Sequence, residues 1–235
     1  MAKSSKKKKQ LIWIIYILII CLVGYYAKNE INNTYSIPSY VLENIPEYNG
    51  QDYVYINDNV PYFNEEDLNT TSFEQYSELD NLGRCGVAYA NISIDLMPTE
   101  ERGSIGMIKP SGWHTIKYDI VSGKYLYNRC HLIGYQLTGE NANEKNLITC
   151  TRQMNTSTMV KFENLVANYI KKTNNHVLYR ATPIFKDNNL LASGVELEAL
   201  SVEDNGVGIK FNVYIYNIQE GITIDYKTGD SKLSQ

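Results

Sequence analysis

An α+β fold is what the sequence predicts, built on a central antiparallel sheet. Three observations carry that expectation. Short runs rich in β-branched and aromatic residues occur both before and after the middle of the chain. One amphipathic pattern, at about residues 157–173, is long enough to be a helix. The order is strands, helix, strands, not the strict alternation that a parallel sheet requires. An apolar N-terminal stretch adds a transmembrane helix to this plan.

Residues 1–10 (MAKSSKKKKQ) form a basic tail, and residues 11–27 (LIWIIYILIICLVGYYA) carry no charge. Seventeen helical residues reach roughly 25 Å, the low end for a bilayer crossing. A cleaved signal peptide would need small residues after the apolar run, yet the run ends in Gly24, Tyr25, Tyr26, Ala27 and Lys28. Bulky Ile20 before Cys21 argues against a lipoprotein. The expectation is an uncleaved signal anchor, with secretion after cleavage as the alternative. The positive-inside rule then keeps Lys6 to Lys9 in the cytoplasm and the remainder outside.

Residues 28–50 are polar, contain Pro38 and Pro46, and read as a stalk leading into a domain at 51–235. Tyr53 to Ile56 is a short strand candidate, and residues 64–80 are acidic and irregular or partly helical. Gly86 to Ile94 and Trp113 to Val121 read as strands, with a turn at Ser122-Gly123 and an extended run from Lys124 to Asn128. In the predicted helix, Phe162, Leu165, Val166, Tyr169 and Ile170 recur on one face. Val177 to Phe185, Leu190 to Leu200 and Lys210 to Asn217 then read as an antiparallel meander.

The chain has 22 basic and 26 acidic residues. Five of the lysines lie in the tail, which leaves 17 basic against 26 acidic residues outside, a net of −9. Phosphate affinity comes from Lys and Arg, so a nucleic-acid partner would need a local basic cleft on an acidic body. Of the four cysteines, Cys85, Cys130 and Cys150 lie outside the apolar segment. Export permits one disulfide among them, with the pair left open; three buried thiols fit equally well.

The informative stretch runs from Tyr127 to Glu163. His131 is one of three histidines and sits among polar residues, two positions after Arg129. Asn155 follows 24 residues later and Glu163 eight beyond that. The order N-R-C-H-L-I-G-Y-Q, then N-L-I-T, then T-R-Q-M-N resembles the DNA/RNA non-specific endonuclease family. That family carries a D-R-G-H signature on a ββα-metal (His-Me finger) motif. The likeness extends to its bacterial, membrane-anchored DNA-entry branch and covers about residues 37–220.

The resemblance implies a ββα-metal motif within the α+β domain, with His131 as general base and Asn155 as the single protein ligand of a metal. It implies Glu163 as the helix acid that holds water of the metal's shell, and Arg129 as a phosphate contact. It implies Arg84, in LGRCG, as the upstream arginine. The implied cofactor is Mg²⁺, with Mn²⁺ as an alternative. The implied substrates are DNA and RNA, cut to 5′-phosphate and 3′-hydroxyl ends, and a DNA-uptake machine is the implied partner. Two departures stand out: the signature Asp is Asn128 and its Gly is Cys130, which alters the loop but leaves base and ligand in place. Arg152 and Gln153, beside the ligand, are candidates for substrate binding.

The residue types suit that chemistry. A neutral imidazole can take the proton of an attacking water near pH 7. A hard ion keeps several waters, so one amide oxygen can anchor it. Arginine offers paired donors to phosphate. Over eight helical residues Asn155 and Glu163 fall about 80° from eclipsed, so they share a side if the helix already includes Asn155. Each residue also has a plainer reading: a hydrogen-bonded histidine, an Asn155 helix cap, a solvated Glu163, arginines in surface ion pairs. His114 reads as packed beside Trp113, and His176 as a helix-end histidine. A catalytically silent nucleic-acid receptor is the main rival function, but it predicts loss of His131 or Asn155. A zinc peptidase would need an H-E-x-x-H pair, which is absent.

Overall fold

The computed structural model describes residues 13–24 and 45–234. The chain divides into two units, Met1–Ser39 and Tyr40–Gln235. In the first unit residues 13–24 are helical and their side chains are exposed. No described helix is long and apolar enough to cross a membrane. The rest of the predicted 11–27 anchor, the basic tail and residues 28–44 of the stalk lie outside the described residues.

The second unit is α+β, as the strand–helix–strand order predicts. Its strands are β1 (Tyr53–Tyr55), β2 (Phe73–Tyr76), β3 (Ala88–Ile92), β4 (Tyr127–His131), β5 (Leu147–Thr151), β6 (Val177–Ile184), β7 (Gly194–Ser201), β8 (Lys210–Tyr216), β9 (Ile222–Ile224) and β10 (Ser231–Leu233). Its helices are α1 (Tyr135–Thr138) and α2 (Val160–Thr173). Six strands form an antiparallel sheet in the order β1-β8-β7-β6-β3-β2. The hairpins β4–β5 and β9–β10 stand apart from it.

Strand alternation divides the sheet into two faces. Ala88, Ala90 and Ile92 of β3, Val177, Tyr179 and Ala181 of β6, and Val195, Leu197 and Ala199 of β7 enter the main core. Phe162, Val166, Ala167 and Ile170 of α2 join the same core. A fully buried Phe, Val or Ile contributes roughly 1.5–3 kcal/mol, so this face of α2 fixes the helix on the sheet. Leu165, expected on that face, is 48% exposed; the buried set follows an i, i+4, i+5, i+8 pattern that leaves it on the flank. The opposite sheet face carries Arg180, Glu196, Glu198 and Asn212, and segment 60–63 covers it. There Glu198 accepts from the Tyr62 amide at 2.7 Å, and Arg180 pairs with Glu198 at 2.6 Å.

Three expectations need correction. Residues 113–121 form no strand; only an isolated bridge pairs Lys117 with Tyr125. Their apolar residues Trp113, Ile116 and Tyr118 instead pack on a second small core of Val121, Leu126, Tyr127, Leu191 and Ile222. The acidic stretch 64–80 contains β2, since Phe73–Tyr76 finds a partner in β3 despite its polar composition. The helix expected at 157 begins earlier, through a π-helical turn at Met154–Met159.

Candidate active site

Two antiparallel strands and a helix hold the predicted residues. β4 pairs with β5 in the register Arg129↔Thr149 and His131↔Leu147, and β5 runs on into the π turn and α2. A disulfide joins Cys130 of β4 to Cys150 of β5, with Cα atoms 5.9 Å apart. It selects one pair from the three candidates and leaves Cys85 as a buried free thiol. Beyond His131 the chain is pinned by Asn146, whose side chain accepts from the Ile133 amide at 2.9 Å and donates to its carbonyl at 3.0 Å.

These elements enclose a cleft of about 920 Å³. Its lining includes His131, Arg129, Asn155, Glu163, Arg152 and Arg102, so the predicted base, ligand and helix acid meet in one place. Asn155 lies in the π turn, which changes the helical phase between it and Glu163 and lets both face the cleft.

His131 is buried. Its Nε2 lies 2.8 Å from the Asn141 carbonyl, which can only accept, so Nε2 carries the proton. Nδ1 therefore keeps its lone pair, and Arg102 Nη2 meets it at 3.3 Å. Burial pushes the imidazole down to about 4; the bond to Asn141 opposes this and the Arg102 charge adds to it. The ring is neutral and its proton-accepting atom faces a cation.

Asn128 occupies the signature position expected to be aspartate. Its Oδ1 accepts from Arg152 Nη1 at 3.3 Å and from Asn155 Nδ2 at 3.4 Å. Holding Asn155 by its nitrogen leaves the amide oxygen as the atom available to a cation. Glu163 is buried, and burial pushes its carboxyl up to about 7 against the lowering effects of Gln136 and Arg102. Gln136 Nε2 is 3.5 Å from Glu163 Oε2 and 3.1 Å from Asn164 Oδ1. Gly134 closes the other side: a Cβ there would sit 2.5 Å from Glu163 Oε2.

The other predicted residues fall in different places. Arg129 lines the cleft, but its guanidinium donates to the carbonyls of Ile108 and Gly106 and lies 3.9 Å from the Trp113 ring centroid. Arg84 is outside the cleft lining, bound to Asp80 at 2.7 Å and to the carbonyls of Asp187 and Asn189. Gln153 is also outside it, donating to Asp52 at 2.7 Å and accepting from the Glu220 amide at 2.8 Å. Arg102, absent from the sequence reading, lies in an irregular segment 29 residues before His131, and no local pattern marks it. Gly134 and Gln136 stand within the quoted G-Y-Q run, where a close approach or a tethered carboxylate could have been sought. Three arginines beside one buried glutamate give the local basic cleft that an acidic body requires.

A family model described as DNA/RNA non-specific endonuclease matches residues 65–203. The structure is similar to the crystal structure of NucA from Streptococcus agalactiae with magnesium ion bound, at 28% identity and a TM-score of 0.71, over 82% of this chain and 92% of that one. It is also similar to the structure of Sda1 nuclease with bound zinc ion, at 30% identity and a TM-score of 0.58, over 69% of this chain and 80% of that one. An extracellular endonuclease, at 19% identity and a TM-score of 0.55, shares the fold over 80% of this chain and all of that one.

Proposed function

The chain belongs to the DNA/RNA non-specific endonuclease family and is a nucleic-acid-hydrolysing enzyme, and we propose that it is a metal-dependent endonuclease without sequence preference, cutting DNA and RNA to 5′-phosphate and 3′-hydroxyl ends. The observation that carries this reading is the pairing, in one cleft, of a neutral His131 whose unprotonated Nδ1 faces Arg102 and an Asn155 whose amide oxygen accepts no hydrogen bond among the described residues.

The donor set fits a hard cation. No group of three or more His, Cys, Asp or Glu among the described residues could hold a metal, so an all-protein cage is not what the site provides. Asn155 Oδ1 would hold the ion directly, with the Glu163 carboxylate receiving hydrogen bonds from water around it. When bound, Mg²⁺ or Mn²⁺ supplies Lewis-acid stabilisation of charge growing on the phosphate and the leaving 3′ oxygen. The magnesium bound by NucA and the zinc bound by Sda1 support metal dependence.

His131 Nδ1 takes a proton from the attacking water, while Asn141 holds the ring in the required tautomer. Arg102 gives its charge to the phosphodiester. That shift moves the guanidinium's field from the imidazole to an anion and raises the basicity of Nδ1 when substrate is present. Arg152 offers a second cationic contact, and Asn128 holds both Arg152 and Asn155. Arg129 pins the 106–108 loop over the cleft and presents what remains of its guanidinium to substrate. Arg84 and Gln153 act as structural ties.

The reading extends to an extracytoplasmic, membrane-tethered enzyme of the DNA-entry type, held by an anchor at residues 11–27 and handing strands to an uptake machine. The Cys130–Cys150 disulfide supports an oxidising compartment, and the uncharged 11–27 segment behind a lysine-rich tail supports the tether. The decisive experiment incubates the detergent-solubilised chain with plasmid DNA, RNA and Mg²⁺, with and without chelator. Degradation that chelator abolishes, and that His131→Ala and Asn155→Ala both abolish in folded protein, is expected. A His131→Ala variant that cuts at the wild-type rate would refute the assignment.

A further inference from the structure

The cleft has an aromatic end that the hydrolytic groups do not use. Residues 116–126 fold back on themselves: Tyr118 donates its amide to the Lys124 carbonyl at 2.9 Å, and Leu126 donates to Ile116 at 3.0 Å. Alternation along this ribbon sends Ile116, Tyr118 and Leu126 to the second core. Lys117 and Tyr125, the two residues of the isolated bridge, are left on the outer face. Tyr125 lines the cleft, is 47% exposed, and has the Lys117 ammonium 4.5 Å from its ring centroid.

A run of neighbouring residues leads from this ring to the hydrolytic centre. Gly123, two residues away, abuts Arg152, since a Cβ on it would lie 3.9 Å from the guanidinium carbon. Arg152 is bonded to Asn128, and Asn128 to Asn155. A strand with a phosphate at Asn155 would meet Arg152 and then Tyr125. Of the four aromatic residues that line the cleft, Tyr125 alone is exposed; Trp113 and Tyr135 are half-buried and Tyr127 is buried.

We propose that Tyr125 and Lys117 form a nucleotide subsite flanking the scissile phosphate, which makes unpaired, single-stranded nucleic acid the preferred substrate of this enzyme. The inference rests on the nuclease reading above and adds to it a strandedness preference. Tyr125 stacks on a base and Lys117 meets the neighbouring phosphate. A base within a duplex has both faces covered by its neighbours, so it reaches Tyr125 only after unstacking and unpairing, whereas an unpaired base pays far less. Loss of a base–aromatic stack weakens binding by about 5- to 150-fold.

The test uses the full-length solubilised chain and its Tyr125→Ala, Tyr125→Phe and Lys117→Ala variants. In chelator, each is titrated with a single-stranded oligonucleotide carrying 2-aminopurine, whose fluorescence falls on stacking. In Mg²⁺, kcat/KM is measured for single-stranded and duplex forms of one sequence. Wild type is expected to quench the probe and to favour the single strand. Tyr125→Ala is expected to lose the quench and to lower the single-strand to duplex ratio by about 5- to 150-fold, Tyr125→Phe to keep both, and Lys117→Ala to flatten the salt dependence of binding. An unchanged ratio in Tyr125→Ala, or a Tyr125→Phe variant that fails like alanine at unchanged Tm, overturns the subsite. A wild type that quenches the probe but cuts nothing refutes the nuclease reading and leaves the subsite standing; one that cuts but gives no quench does the reverse.

Discussion

Replacing Gly134 by alanine isolates a single contact in the cleft. Gly134 has φ −58° and ψ 143°, which any residue adopts, so alanine brings no backbone strain. The cost is purely one of space. The new methyl would lie 2.5, 2.6 and 2.8 Å from Oε2, Cδ and Oε1 of Glu163. Ordinary van der Waals contact needs roughly 3.5 Å, so the carboxylate must retreat by about 1 Å. Glu163 is buried on a helix packed against the sheet, and its route out breaks the Gln136 contact. A 1 Å misplacement at a reacting centre costs on the order of 10²-fold in rate. Overpacking costs about 1–3 kcal/mol, which for a domain of this size lowers Tm by roughly 2–12 °C. Steady-state cleavage of a defined oligonucleotide and thermal unfolding measure both effects. A Glu163→Ala background supplies the control, because without the carboxylate the Gly134→Ala change should have little further effect on rate. Wild-type turnover in Gly134→Ala, or an equal rate loss in the Glu163→Ala background, would refute the reasoning.

Other consequences are as direct. Arg102→Ala removes a cation whose charge helps depress the His131 imidazole; the His131 pKa, followed by NMR, should rise while kcat/KM falls, and an unmoved titration would remove Arg102 from the site. The Cys130–Cys150 link closes a loop with a sequence separation of 20; replacing both by alanine should cost about 3 kcal/mol and lower Tm, measured by calorimetry against the intact chain. Glu196 is buried on the far sheet face beside Glu198, and burial first, then that neighbour, holds its carboxyl well above the ordinary range. The native chain thus keeps a proton that the unfolded chain releases above the usual glutamate value. Stability from this group is complete below about pH 4.5 and is lost as pH rises toward the raised native value, at up to about 1.4 kcal/mol per pH unit. Denaturant titrations across pH should show that slope, and Glu196→Gln should flatten it.

The helix, through its period, and the grouping of His131, Asn155 and Glu163 in one cleft, through the motif resemblance, were legible in the sequence. Phe162, Val166 and Ile170 repeat with the helical period, and His131, Asn155 and Glu163 lie within a span of 33 positions that two strands and one helix hold together. Periodicity misleads at residues 113–121, where apolar residues spaced like those of a strand serve a small separate core. β2 escaped because its pairing with β3, not its composition, makes it a strand. The cysteine pair was open because three thiols in a sequence give no distances, and only the β4–β5 register brings Cys130 to Cys150. Arginine positions were the least readable. One guanidinium resembles another in a sequence, and the folded chain sends Arg102 to the imidazole, Arg84 to Asp80 and Arg129 partly to loop carbonyls. The sequence by itself determined which chemical groups exist and which short elements carry them. The tertiary structure decided which long, flexible cations meet those groups, because a side chain's partner is set by chain crossings tens of residues away and not by its own neighbours.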